Sequence, residues 1–155
     1  MPGKIQREIQ QNKPIPSLEE EAYLNVQRTA NVLLQGLTEV LRRHDLTPTQ
    51  YNVLRILRGA GDTGLTAGEV GDRMITRDPD VTRLLDRLEK RGLAERWRCT
   101  HDRRVVWTRV TEAGLGVIAP LDGEIAELHL RQLGHLGGER LTSFISLLET
   151  VREPA

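Results

Sequence analysis

Apolar side chains along this chain recur at steps of three and four nearly throughout, the period of a helix with one buried face; one short stretch turns instead to valine- and tryptophan-rich runs. The first helical pattern opens at Ser17 and Glu20, a capping-box spelling, and carries Val26, Ala30, Leu33, Leu37 and Val40 on a narrow seam suited to a partner helix. It is expected to run to about Arg43. Thr47, Pro48 and Gln50 supply cap, first-turn proline and box glutamine for a second helix, with a core face of Val53, Leu54 and Leu57 and a stop at Gly59. Thr66 and Glu69 open a short third helix with Ala67, Val70 and Met74 on one face. Ile75 to Arg77 link it to a fourth, predicted to take Asp78 as its cap and Pro79 in its first turn, and to end before Gly92.

The fourth helix is sharply divided, with Val81, Leu84, Leu85 and Leu88 in one stripe and Thr82, Arg83, Asp86, Arg87 and Lys90 opposite. After it come LAERWRC (93–99) and VVWTRV (105–110), two β-leaning runs joined by a polar turn that holds HDRR. Thr111 then caps a long helix whose Leu115, Ile118, Leu121, Ile125 and Leu128 form another seam. Pro120 and Gly123 predict a bend in it, and Gly137 and Gly138 a break. A last helix aligns Leu141, Phe144, Ile145, Leu148 and Val151. The fold class expected is mainly α with a small β-hairpin wing. A winged helix-turn-helix core, residues 47–110, would be joined by long terminal helices for dimerisation, 17–46 and 111–155, behind a polar arm, 1–16, in one structural domain.

At 155 residues the chain is long enough to bury a core without metals or crosslinks. Its formal net charge is zero, which by itself argues against a polyanionic partner. The average conceals a segregation. Between residues 73 and 109 eleven lysines and arginines face six carboxylates, an excess that coincides with the helix pair and the hairpin. A ribbon tip has no core to build, so Arg103 and Arg104 side by side can project toward phosphates or into the minor groove, whose negative potential attracts arginine. Aromatic content of 3% disfavours readers of single strands, which stack bases on exposed rings. Double-stranded DNA is therefore the expected partner.

Other chemistry finds little support. G-A-G-D-T-G, residues 59 to 64, matches the dinucleotide-binding spelling, but the segment before it has helical spacing where that motif needs a strand. His44, His101, His129 and His135 lack metal-ligand spacing. Ser143 and Ser146 have no neighbouring base, and no G-K-[ST] phosphate loop exists, so neither an enzyme nor a cofactor is expected. Cys99 is alone, which excludes an internal disulfide and agrees with a reducing compartment; a lone thiol near a turn reads as inert. The apolar runs are too short to span a bilayer, and MPGKIQREIQQNKPIP lacks the apolar core of a signal peptide, so the cytoplasm is the expected location.

The run VTRLLDRLEKRGLAERWRCTHDRRVVWTRVTEAG resembles the multiple antibiotic resistance regulator (MarR) family of bacterial transcription factors. It contains V-T-R-L-x-D-x-L-x-x-x-G-L, a D-x-R wing tip and a closing V-T-E-x-G in order, and LTPTQYNVLRIL is similar to that family's second helix. The resemblance extends over about residues 20 to 150. It implies a homodimer whose first and last helices interlock, with two winged-helix lobes on successive major grooves of a pseudo-palindromic operator, the half-sites roughly 10 base pairs apart. It also implies a regulator, most commonly a repressor, released by a small phenolic or otherwise anionic molecule. Carried over, Thr82, Arg83 and Arg87 match the groove-facing residues, Lys90 belongs to the same polar side, and Arg104 matches the wing arginine. Asp102 would brace Arg104, and Arg103 would point to the opposite face.

Two further expectations concern the surroundings of that helix. Asp78 is expected to cap it, leaving Asp80 free to accept from a cytosine amine. An effector cleft is expected between the dimer helices and the winged-helix lobe, with Tyr51, Arg55 or His44 as polar groups in an apolar surround; any of these would equally serve as an interface residue. The rival reading is a winged-helix module that binds protein, with the charged helix as partner surface.

Overall fold

Five helices begin where a side chain meets the first free N–H groups of the turn, and this sets most of the architecture. The computed structural model describes residues 1–155. In chain order the elements are α1 (Lys4–Glu8), α2 (Leu18–Arg42), α3 (Pro48–Ala60), α4 (Ala67–Arg73), α5 (Val81–Lys90), β1 (Ala94–Arg98), β2 (Val106–Val110), α6 (Glu112–Ile118), α7 (Leu121–Leu133) and α8 (Gly138–Arg152), with 3-10 turns at Gly61–Thr63 and Gly134–Leu136. Ser17 caps α2 by accepting from the Glu20 N–H, Thr66 caps α4 through Glu69, and Thr111 caps α6 through Gly114. Thr47 and Gln50 form the full reciprocal box at the start of α3.

Four expectations are revised. The helix α3 runs past Gly59 to Ala60, and Gly61 at φ +65° turns the chain out of it. The cap of α5 is Asp80, not Asp78: the Asp80 carboxylate accepts from the Arg83 N–H at 3.1 Å, while Asp78 accepts from the Asp80 N–H at 2.8 Å and Pro79 lies outside the helix. Starting at Val81 opens the helix on the first residue of its apolar stripe. The long helix after Thr111 is two, α6 and α7, because Pro120 has no N–H for the carbonyl four residues earlier and its ring crowds that turn. Residues 1–16, read as a polar arm, contain α1, whose Ile5 is buried and whose Glu8 lies 3.9 Å from Arg28 of α2.

The core gathers around α3. Val53, Leu54 and Leu57 are fully buried against Val70 of α4, Leu85 and Leu88 of α5, Leu93, and Ile118, Leu121, Ile125 and Leu128 of α6 and α7; Val40 and Leu41 close the end of α2. β1 and β2 pair antiparallel with Trp97 opposite Trp107, and Leu65 adds a bridge to Thr108 through two 2.8 Å hydrogen bonds. That bridge requires Gly64. Its φ is +71°, and a Cβ there would lie 2.7 Å from the Thr108 carbonyl oxygen.

The terminal helices are covered on one side only. In α2, Val40 is buried and Leu33 and Leu37 half-buried, but Val26, Val32 and Leu34 are exposed. α8 has no buried residue, with Ile145, Leu147 and Val151 exposed by 52%, 67% and 75%. No helix is long and apolar enough to cross a membrane.

Candidate nucleic-acid interface

Burial of Leu85 and Leu88 fixes the roll of α5 and leaves Thr82, Arg83, Arg87 and Lys90 exposed on its far side. None of those three cations is in an ion pair. The helix's own carboxylates are occupied instead. Arg96 of β1 pairs with Asp86 and, at 2.9 Å, with Glu89, whose other oxygen accepts from the Arg96 N–H at 3.1 Å. The Arg96 hydrogen bond holds the Glu89 carboxyl below the usual carboxylate range. One arginine thus ties the wing to α5 and offsets half the charge of the two acids among its cations.

At the hairpin tip the Asp102 carboxylate accepts from Nε of Arg104 at 3.1 Å, from Nη2 at 3.2 Å and from the Arg104 backbone N–H at 3.1 Å. These bonds lower the Asp102 carboxyl from its ordinary value and orient a guanidinium that is 91% exposed. Arg103 is exposed and unpaired, and its carbonyl accepts from Arg98 at 2.7 Å. Thr82 and Arg104 line one groove of about 380 Å³ between α4, α5 and the wing, with Arg96 at its wall. Arg109 lies 5.0 Å over the Trp97 ring and pairs with Glu95, so it is committed to the hairpin. The Cys99 thiol is lowered from its ordinary value, first by hydrogen bonds to the backbone of Asp102 and His101.

A second cavity, about 450 Å³, opens between α2 and α7 on one side and α3 and the α4–α5 turn on the other. Tyr51 and Arg55 line it. His44 does not: it sits beyond the end of α2 and its Nε2 lies 3.4 Å from Glu124 of α7. His129 and Asn52 take its place at the cavity wall. Asn52 neighbours Tyr51 and lies three residues before Arg55 on α3, a spacing that was open to inspection. His129 depends on how α7 packs, which its own sequence does not state. Burial raises the Tyr51 hydroxyl above its ordinary value, while Arg55, 5.7 Å over the ring, opposes that shift.

A MarR family profile matches residues 44–105, from the end of the first long helix through the wing tip. A MarR transcription factor from Planctomyces limnophilus has a solved structure that is 39% identical, covers 88% of this chain and 98% of its own, and superposes with a TM-score of 0.68. The transcriptional regulator MhqR of Bacillus subtilis is 28% identical over 96 residues, 62% of this chain and 65% of that protein, so the chain spans slightly under two thirds of that relative's length. A cysteine-to-serine mutant of Escherichia coli MarR, solved with operator DNA, shares the fold at a TM-score of 0.78 and 24% identity, over 88% of this chain and 99% of that one. A helix whose free cations stand beside an aspartate-braced wing arginine, and a near full-length relative at 39% identity, place the chain in the MarR family.

Proposed function

We propose that this chain is a homodimeric, double-stranded-DNA-binding transcriptional regulator of the cytoplasm, a repressor that reads a pseudo-palindromic operator and is released by a small aromatic or anionic molecule. The observation that carries the reading is the engagement of both Asp86 and Glu89 by Arg96, which offsets half of their charge and leaves Arg83, Arg87 and Lys90 unpaired beside Arg104. A duplex presents phosphates on both sides of the groove that would receive α5, so cations on a single edge fit it. Thr82, Arg83 and Arg87 would meet base edges, Lys90 and Arg103 phosphates, and Arg104, braced by Asp102, the minor groove. That Escherichia coli MarR, which shares this fold, is solved with operator DNA supports a duplex as the partner.

Residues 47–110 would bind DNA, and residues 17–46 and 111–155 would form the dimer, since the open apolar faces of α2 and α8 need a second copy to cover them. The cavity at Tyr51 and Arg55 would take the effector, Arg55 meeting an anionic group within an apolar surround that includes Leu34, Leu37 and Ile125. The test is binding to duplex DNA by mobility shift across a salt series, with footprinting of the bound site. The expected results are an affinity that falls steeply with salt and a protected two-fold sequence. Salt-insensitive behaviour without footprint would favour the protein-binding module instead.

A further inference from the structure

We infer that Asn52 is a positioning residue for the recognition helix: one carboxamide on α3 holds the turn that leads into α5 and at the same time forms part of the cavity wall. This rests on α5 being the element that reads DNA. Residues 75–80 lead from α4 to α5 with few ties. The Ile75 side chain is 88% exposed and anchors nothing, and Asp78 bonds only within the turn, to the Asp80 N–H. The one side chain from outside that reaches this segment's backbone is Asn52, whose Oδ1 accepts from the Ile75 N–H at 2.9 Å. An amide N–H can be met only by the oxygen of a carboxamide, so the orientation of the group is fixed by its partner. Nδ2, with two hydrogens to donate, has no partner in the protein.

Asn52 lines the cavity together with Met74, Ile75 and Thr76 of the turn and with Tyr51 and Arg55. The carboxamide is planar and rigid. An acceptor beside Arg55 that Nδ2 does not already face can be met only by rotating the plane that holds Ile75. Such an occupant and the turn compete for one side chain, and the turn leads into the start of α5, where Asp80, Thr82 and Arg83 lie.

Amide exchange at Ile75 in the full chain, followed by NMR, tests the clamp directly. Asn52→Ala should raise exchange at Ile75 by about fivefold, the worth of one ordinary hydrogen bond, and weaken operator binding by a similar factor with an unchanged salt slope, because no phosphate contact is removed. Asn52→Asp keeps an oxygen acceptor and should restore both, whereas Asn52→Leu, similar in bulk but without an acceptor, should not; a general packing role would be rescued by either. Unchanged Ile75 exchange in the alanine variant overturns the proposal. With benzoate as probe, wild-type Ile75 exchange should rise together with shifts at Tyr51 and Arg55, and the aspartate variant, now anionic, should lose that response. Benzoate that shifts neither Tyr51 nor Arg55, or shifts them with Ile75 unmoved, overturns the link to the cavity. A wild-type chain that binds no duplex refutes the regulator reading, while exchange at Ile75 still decides the clamp.

Discussion

Arg96 changes the character of the helix it touches without belonging to it. Counted along the sequence, α5 carries Asp86 and Glu89 among its cations; with Arg96 in place half of their charge is offset and both are turned to the wing, so they oppose an approaching phosphate less. Arg96→Met should therefore weaken binding to every duplex, measured as a parallel loss for operator and random sequence. Arg104→Ala should also act on all duplexes and lower the salt slope by about 1, whereas Arg83→Ala should cost about 1–3 kcal/mol and relax sequence preference. A slope that stays unchanged in the Arg104 variant would refute the wing assignment. The Asp102–Arg104 brace was legible in the sequence because its partners are two residues apart in a turn. The Arg96 pairs join residues seven and ten apart on different elements, and only the register of the hairpin against α5 brings them together.

Among elements, the start of α5 shows how local spelling can mislead. Asp78-Pro79 has the form of a cap followed by a first-turn proline, yet the helix begins two residues later because Asp80 reaches the Arg83 N–H. The Asp80 carboxylate is thus engaged in capping through one of its two oxygens. Asp80→Ala should cost about 1 kcal/mol of stability in urea unfolding, the usual worth of such a cap. Asp78→Ala, which removes only a contact within the turn, should cost less. The caps at Ser17, Thr47, Thr66 and Thr111 were readable since each depends on a side chain three residues from its partner. The break at Pro120 was readable in kind but not in extent, because a proline fixes where a helix is weakened and packing decides whether it bends or divides.

At the scale of the whole molecule, α7 is tied to the winged-helix lobe by the two-pronged Arg58–Asp122 pair, at 2.9 and 3.0 Å. The Arg58 hydrogen bonds hold the Asp122 carboxyl below its ordinary value. Stabilisation from this pair is then present at neutral pH and lost as pH falls through the folded carboxyl's range, below about 4. Wild type should exceed Asp122→Asn in urea midpoint at pH 7, and the gap should narrow progressively as pH falls below about 4. The apolar faces of α2 and α8 make a separate prediction. Leu147→Glu places a charge on a helix that contributes nothing to the buried core, so the chain should stay helical by circular dichroism, sediment as a monomer and lose the two-fold footprint. The seams on these helices were visible as periodicity. What covers them was not, since a pattern of apolar residues states that a face is buried without naming its partner.

The wing carries a consequence of its own for measurement. The chain has two tryptophans, and they are Trp97 and Trp107, direct cross-strand neighbours in the hairpin. All indole emission therefore originates within one ribbon, the one that ends in the Arg103–Arg104 tip, and none of it in α8. Unlabelled protein excited in the indole band becomes its own reporter of what the ribbon touches, blind to events confined to the terminal helices.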